Sequence, residues 1–204
     1  MSFELRKATL SDIPGIIEVF FDAFRDHPVT HRVFNSGSEL SREYWVEQLK
    51  LDLGNPNIHY LVVTDPASPH PERVIALGKW CEQFILPPRP SPPSLGWPKD
   101  ADLAFAEEFI GTVEKKHKEI METRPHWYLD MLGVRREYQG RGIGKQLLQW
   151  GLVKADEAKL ESFLAASPAG APLYAKYGFE LVEAILLDEG RRVESFMLRP
   201  AKKP

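Results

Sequence analysis

The sequence predicts an α/β (α+β) domain built on one mixed sheet. Strand-like and helix-like patterns alternate through the second half of the chain. In the first half, two strand-like runs are joined by Asp65-Pro66-Ala67-Ser68-Pro69-His70-Pro71, a turn by composition that suits a hairpin. The 204 residues are 43% hydrophobic and 27% charged, enough for a single domain to bury a full core without staples.

Phe3 to Ala8 alternates apolar and polar residues and reads as the first strand. Ser11-Asp12 then offers a helix N-cap with Pro14 in the first turn. Ile16, Ile17, Val19, Phe20 and Phe24 give that helix an apolar face up to about His27-Pro28. A second helix is expected from about Ser41 to Leu53, with Tyr44, Trp45, Leu49 and Leu53 toward the core and Gly54-Asn55-Pro56 as its stop. Strands follow at His59 to Thr64 and Val74 to Phe84. Pro87 to Pro98 is too rich in proline for a helix or an inner strand and reads as an extended arm. After it, Leu103, Ala106, Phe109, Ile110, Val113 and Ile120 recur at helical spacing to about Glu122, so 86–124 reads as an insertion of arm plus helix. Trp127 to Val134 is a buried strand and Arg135 to Arg141 a basic turn. A helix runs from Gly142 to about Ala158, and a short strand from Phe163 to Ala166. Ser167-Pro168 opens a helix over Ala169 to Lys176 that Gly178 ends. Strands at Phe179 to Leu187 and Val193 to Leu198 flank the turn Asp188-Glu189-Gly190.

Composition narrows the function. A net charge of −3 and a pI near 6.1 leave no basic excess for nucleic acid. The single cysteine, Cys81, excludes an intramolecular disulfide and a cysteine-built zinc site; it reads as a small buried hydrophobe. No run approaches a membrane span, and the first residues lack the apolar core of a secretory signal, so a cytoplasmic protein with no membrane partner is expected. His27 and His31 are four apart, but Pro28 between them argues for loop residues rather than a metal pair, and no metal is expected. Lys115, Lys116 and Lys118 with Glu114 and Glu119 read as a solvated helix face.

The informative stretch is Gln139-Gly140-Arg141-Gly142-Ile143-Gly144-Lys145, between a strand and a helix. Glycines let the backbone approach a ligand closely, and the unsatisfied N–H groups of a helix start, with the positive end of its dipole, favour an anion such as a pyrophosphate. Spacing excludes the two common nucleotide patterns. Only three residues separate Gly140 from Gly144, Lys145 is followed by Gln146 rather than a hydroxyl, and Lys145 also stands where a dinucleotide fingerprint needs its third glycine.

Gln139-x-x-Gly142-x-Gly144 resembles the acyl-CoA signature Q/R-x-x-G-x-G/A of the GCN5-related N-acetyltransferase (GNAT) superfamily, with Leu132-Gly133-Val134 running into the turn. Leu173-Tyr174-Ala175-Lys176-Tyr177-Gly178-Phe179 resembles that family's second signature, a tyrosine-bearing helix ending in Y/F-G-F. The resemblance implies a mixed, mostly antiparallel sheet of about six or seven strands flanked by helices, forming one N-acetyltransferase domain over 1–204. It also implies acetyl-CoA as co-substrate, its pyrophosphate on Gln139, Gly140, Arg141, Gly142, Ile143, Gly144 and Lys145. The pantetheine arm would pair like a strand with Leu132, Gly133 and Val134, in a splay between the strands at 127–134 and 163–166. A backbone N–H near Leu132 would polarise the thioester carbonyl, and an amine would attack directly. Tyr174 occupies the position of the family's tyrosine acid, whereas Tyr177 reads as core. Small-molecule enzymes of the family, including those acting on aminonucleoside antibiotics, share the general look of 126–187, a likeness that does not name the acceptor. A small-molecule amine is the expected acceptor, with a protein or peptide acceptor or a non-catalytic acyl-CoA-binding module as alternatives, and a homodimer compatible.

For the base, Asp130 interrupts an apolar strand two residues before the cofactor segment, and alternation puts Tyr128, Asp130 and Leu132 on one face. A carboxylate there is costly unless paired, wet or functional. Asp130 is the first candidate base and Glu82 the second; Tyr128 is placed to contact the acceptor.

Overall fold

Seven strands, β1 (Glu4–Lys7), β2 (Ile58–Thr64), β3 (Val74–Gln83), β4 (His126–Val134), β5 (Glu161–Ala166), β6 (Glu180–Leu187) and β7 (Arg192–Arg199), form one sheet. Their order is β1-β2-β3-β4-β5-β7-β6, and only β4 and β5 run parallel. The computed structural model describes residues 3–83 and 96–202. The helices are α1 (Ile13–Ala23), α2 (Pro28–Arg32), α3 (Glu39–Leu53), α4 (Leu103–Ala106), α5 (Thr112–Met121), α6 (Ile143–Ala158) and α7 (Ala171–Ala175).

The mostly antiparallel seven-stranded sheet agrees with the fold that the resemblance implies, and the 65–71 turn joins β2 to β3 as a hairpin. Helical boundaries differ from the sequence reading for local reasons. The first helix ends at Ala23, because Pro28 forces His27 extended (φ −84°, ψ 131°) and then starts α2 as its first residue. Residues 28–32 are therefore helical rather than loop, and the His27 Nδ1 accepts a hydrogen bond from the Val29 N–H at 3.2 Å as a cap. The second helix begins at Glu39, two residues early, because Ser38 caps it through the Ser41 N–H. Between α4 and α5 the chain makes a π-helical stretch, Glu107–Gly111, so the inserted helix is continuous but locally widened. The helix expected at 169–176 shortens to Ala171–Ala175, since Ser167 to Gly170 form a turn through the Ser167 carbonyl. Residues 84–95 lie outside the described residues, and with them Phe84 of the expected strand and most of the proline-rich arm expected at Pro87 to Pro98.

The sheet separates two apolar layers. On one face α1, α3 and α4 pack Ile16, Phe20, Trp45, Leu49 and Phe105 against Tyr60, Val62 and Leu77. Beside them, Cys81, Met121, Tyr128, Phe163 and Phe196 form a smaller cluster under α5. On the other face α6 presses Ile143, Leu147 and Leu148 onto Leu61, Ile75, Trp80, Trp127 and Leu164. Burying such side chains is worth about 1.5–3 kcal/mol each before entropy is counted. The closest approach in this layer is Gly151 of α6 over the Trp80 ring, whose Nε1 donates to the Leu147 carbonyl at 3.1 Å.

Candidate active site

The site begins with an irregularity in β4. Lys79 of β3 faces Met131, whereas the next residue, Trp80, faces Leu129, so Asp130 has no opposite residue and forms a β-bulge. Tyr128 and Asp130 stay on the face covered by α1 to α5, as alternation predicts. Leu132 does not: the extra residue turns it to the α6 face, where its Cδ2 stands 3.4 Å from where a Cβ on Gly144 would lie. The predicted common face of Tyr128, Asp130 and Leu132 is corrected accordingly.

β4 also leaves its parallel neighbour here. The β4–β5 ladder runs from His126 opposite Glu161 to Leu129 opposite Leu164 and ends there, although β4 continues to Val134 and β5 to Ala166. The two strands therefore open after Leu129. On the β5 side, Met131 to Val134 face the opening without a strand partner among the described residues.

At the end of β4, Gln139 folds back so that its Nε2 donates to the Val134 carbonyl at 3.0 Å. Gly140 (φ +75°) and Gly142 (φ +83°) take left-handed conformations that a side chain disfavours, and a Cβ on either would meet nothing within 4 Å. Gly142 is the N-cap of α6, so the first-turn N–H groups of a 16-residue helix face open space with the positive end of its dipole. This cradle fits a pyrophosphate.

A cavity of ≈1570 Å³ runs from this turn, through the β4–β5 opening, to a lobe walled by Phe20, Phe34, Tyr44, Trp45 and Trp97. It gathers Leu132, Gly133, Val134, Gln139, Gly140, Gly142, Ile143, Gly144, Lys145, Tyr128, Asp130, Glu82 and Tyr174. Arg141 is the exception among the predicted site residues. It is exposed, and its guanidinium lies 4.9 Å from the Tyr138 ring centre.

Tyr174 is held by α7 against Phe179, and its hydroxyl makes no hydrogen bond among the described residues. Burial, then the nearby Glu194 charge, pushes its phenol up to about 12, so it keeps its proton at neutral pH. Asp130 is already engaged. The Lys79 ammonium lies 2.9 Å from its Oδ2 and 2.7 Å from the Asp52 Oδ2, and the Tyr60 hydroxyl donates to Asp52 at 3.0 Å. Glu82 pairs with the His59 Nε2 at 2.9 Å in the cavity wall. Cys81 is buried beside Tyr128 and also lines the cavity.

Sequence reasoning missed Lys79, Asp52, Arg192 and Glu194, all of which line this cavity. Glu194 is 6% exposed, and its Oε2 finds no hydrogen-bond partner among the described residues. Burial, opposed by the Arg192 charge, holds its carboxyl up at about 7. A signal for it existed. In Arg192-Val193-Glu194-Ser195-Phe196, alternation puts Glu194 on the inward face with Phe196, as it did for Asp130.

Residues 100–181 match the family model described as an acetyltransferase (GNAT) domain. Solved structures similar to the whole chain include a Corynebacterium glutamicum protein described as histone acetyltransferase HPA2 and related acetyltransferase. It is 24% identical over 100% of this chain and 99% of that one, with a TM-score of 0.69. The PaiA N-acetyltransferase of Thermoplasma acidophilum, solved in complex with coenzyme A, is 18% identical over 98% and 99% of the chains, with a TM-score of 0.57. NAA60 of Arabidopsis thaliana, solved with a bisubstrate analogue, is 16% identical over 97% of each chain, also at 0.57. The fold is thus the one these acetyltransferases share. Among the described residues, no helix is long and apolar enough to cross a membrane.

Proposed function

We propose, from the premise that this chain belongs to the GCN5-related N-acetyltransferase superfamily, that it transfers the acetyl group of acetyl-CoA to the amine of a small molecule by direct attack in a ternary complex. The observation that carries the reading is the opening of β4 from β5 into the same cavity that the α6 turn and Tyr174 line.

In this reading the N–H groups at Gly142 to Lys145 hold the pyrophosphate, and Lys145 adds a cation at the rim. The unpaired β4 edge at Leu132 to Val134 accepts the pantetheine as an added strand, and a backbone N–H near Leu132 stabilises the charge that develops on the thioester oxygen. Acetyl-CoA supplies an activated acyl carbon, so the protein needs no acyl-enzyme. Tyr174, protonated and buried, donates toward the departing sulfur. Asp130 and Asp52, bridged by Lys79, place two carboxylates and one ammonium at the floor of the acceptor lobe, a net negative charge that favours a cationic amine. The aromatic walls on α1 and α3 and at Phe34 and Trp97 suit an acceptor whose amine rides on a compact apolar body. That is the support for a small molecule over a protein.

Calorimetry with acetyl-CoA, ATP and NAD tests the co-substrate, with binding of acetyl-CoA alone expected. Release of the CoA thiol is then followed with a panel of primary amines and a panel of peptides with free N-termini or lysines. Binding of ATP or NAD in place of acetyl-CoA would overturn the reading of the phosphate turn. Faster turnover on peptides than on any amine would overturn the acceptor class.

A further inference from the structure

We propose that Glu194 is the group that takes the proton from the acceptor's ammonium, an inference that rests on the acetyl-transfer reading above. Its position comes from the sheet. Ser195 of β7 pairs with Ala166, the last residue of β5, so Glu194 stands just past the end of the strand that borders the β4–β5 opening. It shares the inward face of β7 with Phe196, which packs against Tyr128 and Phe163 on the acceptor side of the sheet. Tyr174 is close enough to feel its charge and lines the same cavity. The acid and this carboxylate therefore both border the place where the acetyl carbon is expected.

The other cavity carboxylates are committed elsewhere. Asp26 pairs with Arg136 at the exposed rim, Glu82 with His59, both Asp52 and Asp130 with Lys79, and Glu114 of α5 is not free either. Asp130 would have to give up a buried ammonium before taking a proton. Glu194 is buried with one oxygen unpartnered among the described residues, a costly arrangement that structures keep rarely and usually at working sites. Around it, Arg192 is the charged neighbour on its own strand, the strand's other arginine, Arg199, being paired with Asp156. Tyr174 faces it from α7, His27 at the cap of α2 lies beyond Arg192, and the paired residue on β6 is the apolar Ile185. Scarce solvent, only partly offset by the Arg192 guanidinium, brings the carboxyl to about 7, where a base both accepts and releases a proton at neutral pH.

The step balances without a further reactant. An N–H bond of the ammonium breaks, its electron pair stays on nitrogen, and an O–H bond forms on Glu194, which later releases the proton to solvent. The neutral amine attacks the thioester carbon and the C–S bond breaks. The sulfur takes a proton from Tyr174, and the second proton leaving nitrogen restores the phenol.

The test combines an acceptor-independent reading with a kinetic one. Protein labelled with carbon-13 at the glutamate carboxyl carbons is titrated by NMR with and without acetyl-CoA, Glu194 being identified by the signal that Glu194→Gln removes. A midpoint near 7 is expected, and one near 4.5 overturns the proposal whether or not any acceptor is known. Kinetically, CoA-thiol release with phenethylamine is measured against pH. The wild type should show an acid limb of kcat/KM near 7. Glu194→Gln should lower kcat/KM about a hundredfold and lose that limb, with acetyl-CoA affinity kept within twofold, while Glu194→Asp retains the limb at a reduced rate. A Glu194→Gln variant with the wild-type rate and limb refutes the proposal. A wild type that binds acetyl-CoA and titrates near 7 but acetylates no amine in the panel refutes the acetyl-transfer reading, and the catalytic role with it. One that does not bind acetyl-CoA refutes both at the first step.

Discussion

Gly151→Ala is the substitution whose cost the structure states most directly. A Cβ at Gly151 would lie 2.0, 2.3 and 2.5 Å from Cε2, Cδ2 and Cζ2 of Trp80. Ordinary carbon contacts begin near 3.5 Å, so ring or helix must move by roughly 1.5 Å. The ring is fully buried and pinned through its Nε1 to the Leu147 carbonyl on the same helix. Overpacking of this kind costs about 1–3 kcal/mol, and loss of the indole hydrogen bond about 1 more. Alanine returns about 1 kcal/mol of helix propensity. The net expectation is a loss of about 1–3 kcal/mol, or roughly 2–12 °C in Tm for a chain of this size. Urea unfolding of the variant measures it, and the double variant with Trp80→Leu should cost at least about 1 kcal/mol less than the sum of the singles. Because α6 carries the phosphate turn at its start, a helix that moves away from Trp80 should also weaken acetyl-CoA binding. A Gly151→Ala protein as stable as wild type, or more stable, would show that propensity outweighs the contact and refute the packing argument.

Gly142→Ala meets no atom within 4 Å but must adopt φ +83°, so stability should fall by only about 1–2 kcal/mol. Acetyl-CoA affinity should fall more than tenfold, and an unchanged Kd would remove the pyrophosphate from this turn. Tyr174→Phe should lower kcat about a hundredfold with acetyl-CoA affinity intact, and an unchanged kcat would remove the phenol as acid. Glu194 also predicts a pH dependence of stability. Its carboxyl is raised on folding from 4.5 to about 7, so its contribution is full below 4.5 and lost as pH rises through 7, at most about 3 kcal/mol. His27, lowered from 6.5 to about 4 by burial and Arg192, works in the opposite sense, its contribution being lost as pH falls from 6.5 toward 4. The difference between wild type and Glu194→Gln in urea at pH 5 and pH 8 isolates the carboxyl; no change in that difference would contradict the burial argument.

The order of the elements was legible because each carries its own local signal. Alternation marks β1, an apolar run marks β4, Gly and Pro punctuate the turns, and Gln139 to Lys145 announces a helix start suited to an anion. The split of the first helix at Pro28 was legible in principle from the restriction that proline places on His27. Two features were not legible locally. The bulge at Asp130 depends on how β3 registers against β4, and no residue in Trp127 to Leu132 signals it. The pairing of Lys79 with Asp52 and Asp130 joins β3, α3 and β4, so it exists only once the tertiary structure brings them together. Glu194 was missed for another reason. The same rule that flags Asp130 applies to it, but β7 lies outside both recognisable signatures.

The bulge and the strand opening are one device. With regular pairing, Asp130 and Leu132 would face the same way, and β4 would keep a flat edge toward β5. One extra residue at Asp130 increases the local twist and bends the strand, and the β4–β5 ladder ends at the residue before it. The same insertion leaves the Asp130 carboxylate beside Lys79 and turns Leu132 to the α6 face, beside the glycine turn. It therefore exposes the β4 edge toward β5, and in the acetyl-transfer reading proposed above the two sides of that edge take opposite tasks, phosphate below α6 and amine below α1 and α3. β7 then closes the acceptor side at the end of β5. There Glu194, rather than a residue of β4, meets the opening with a carboxylate not already bound to an ammonium.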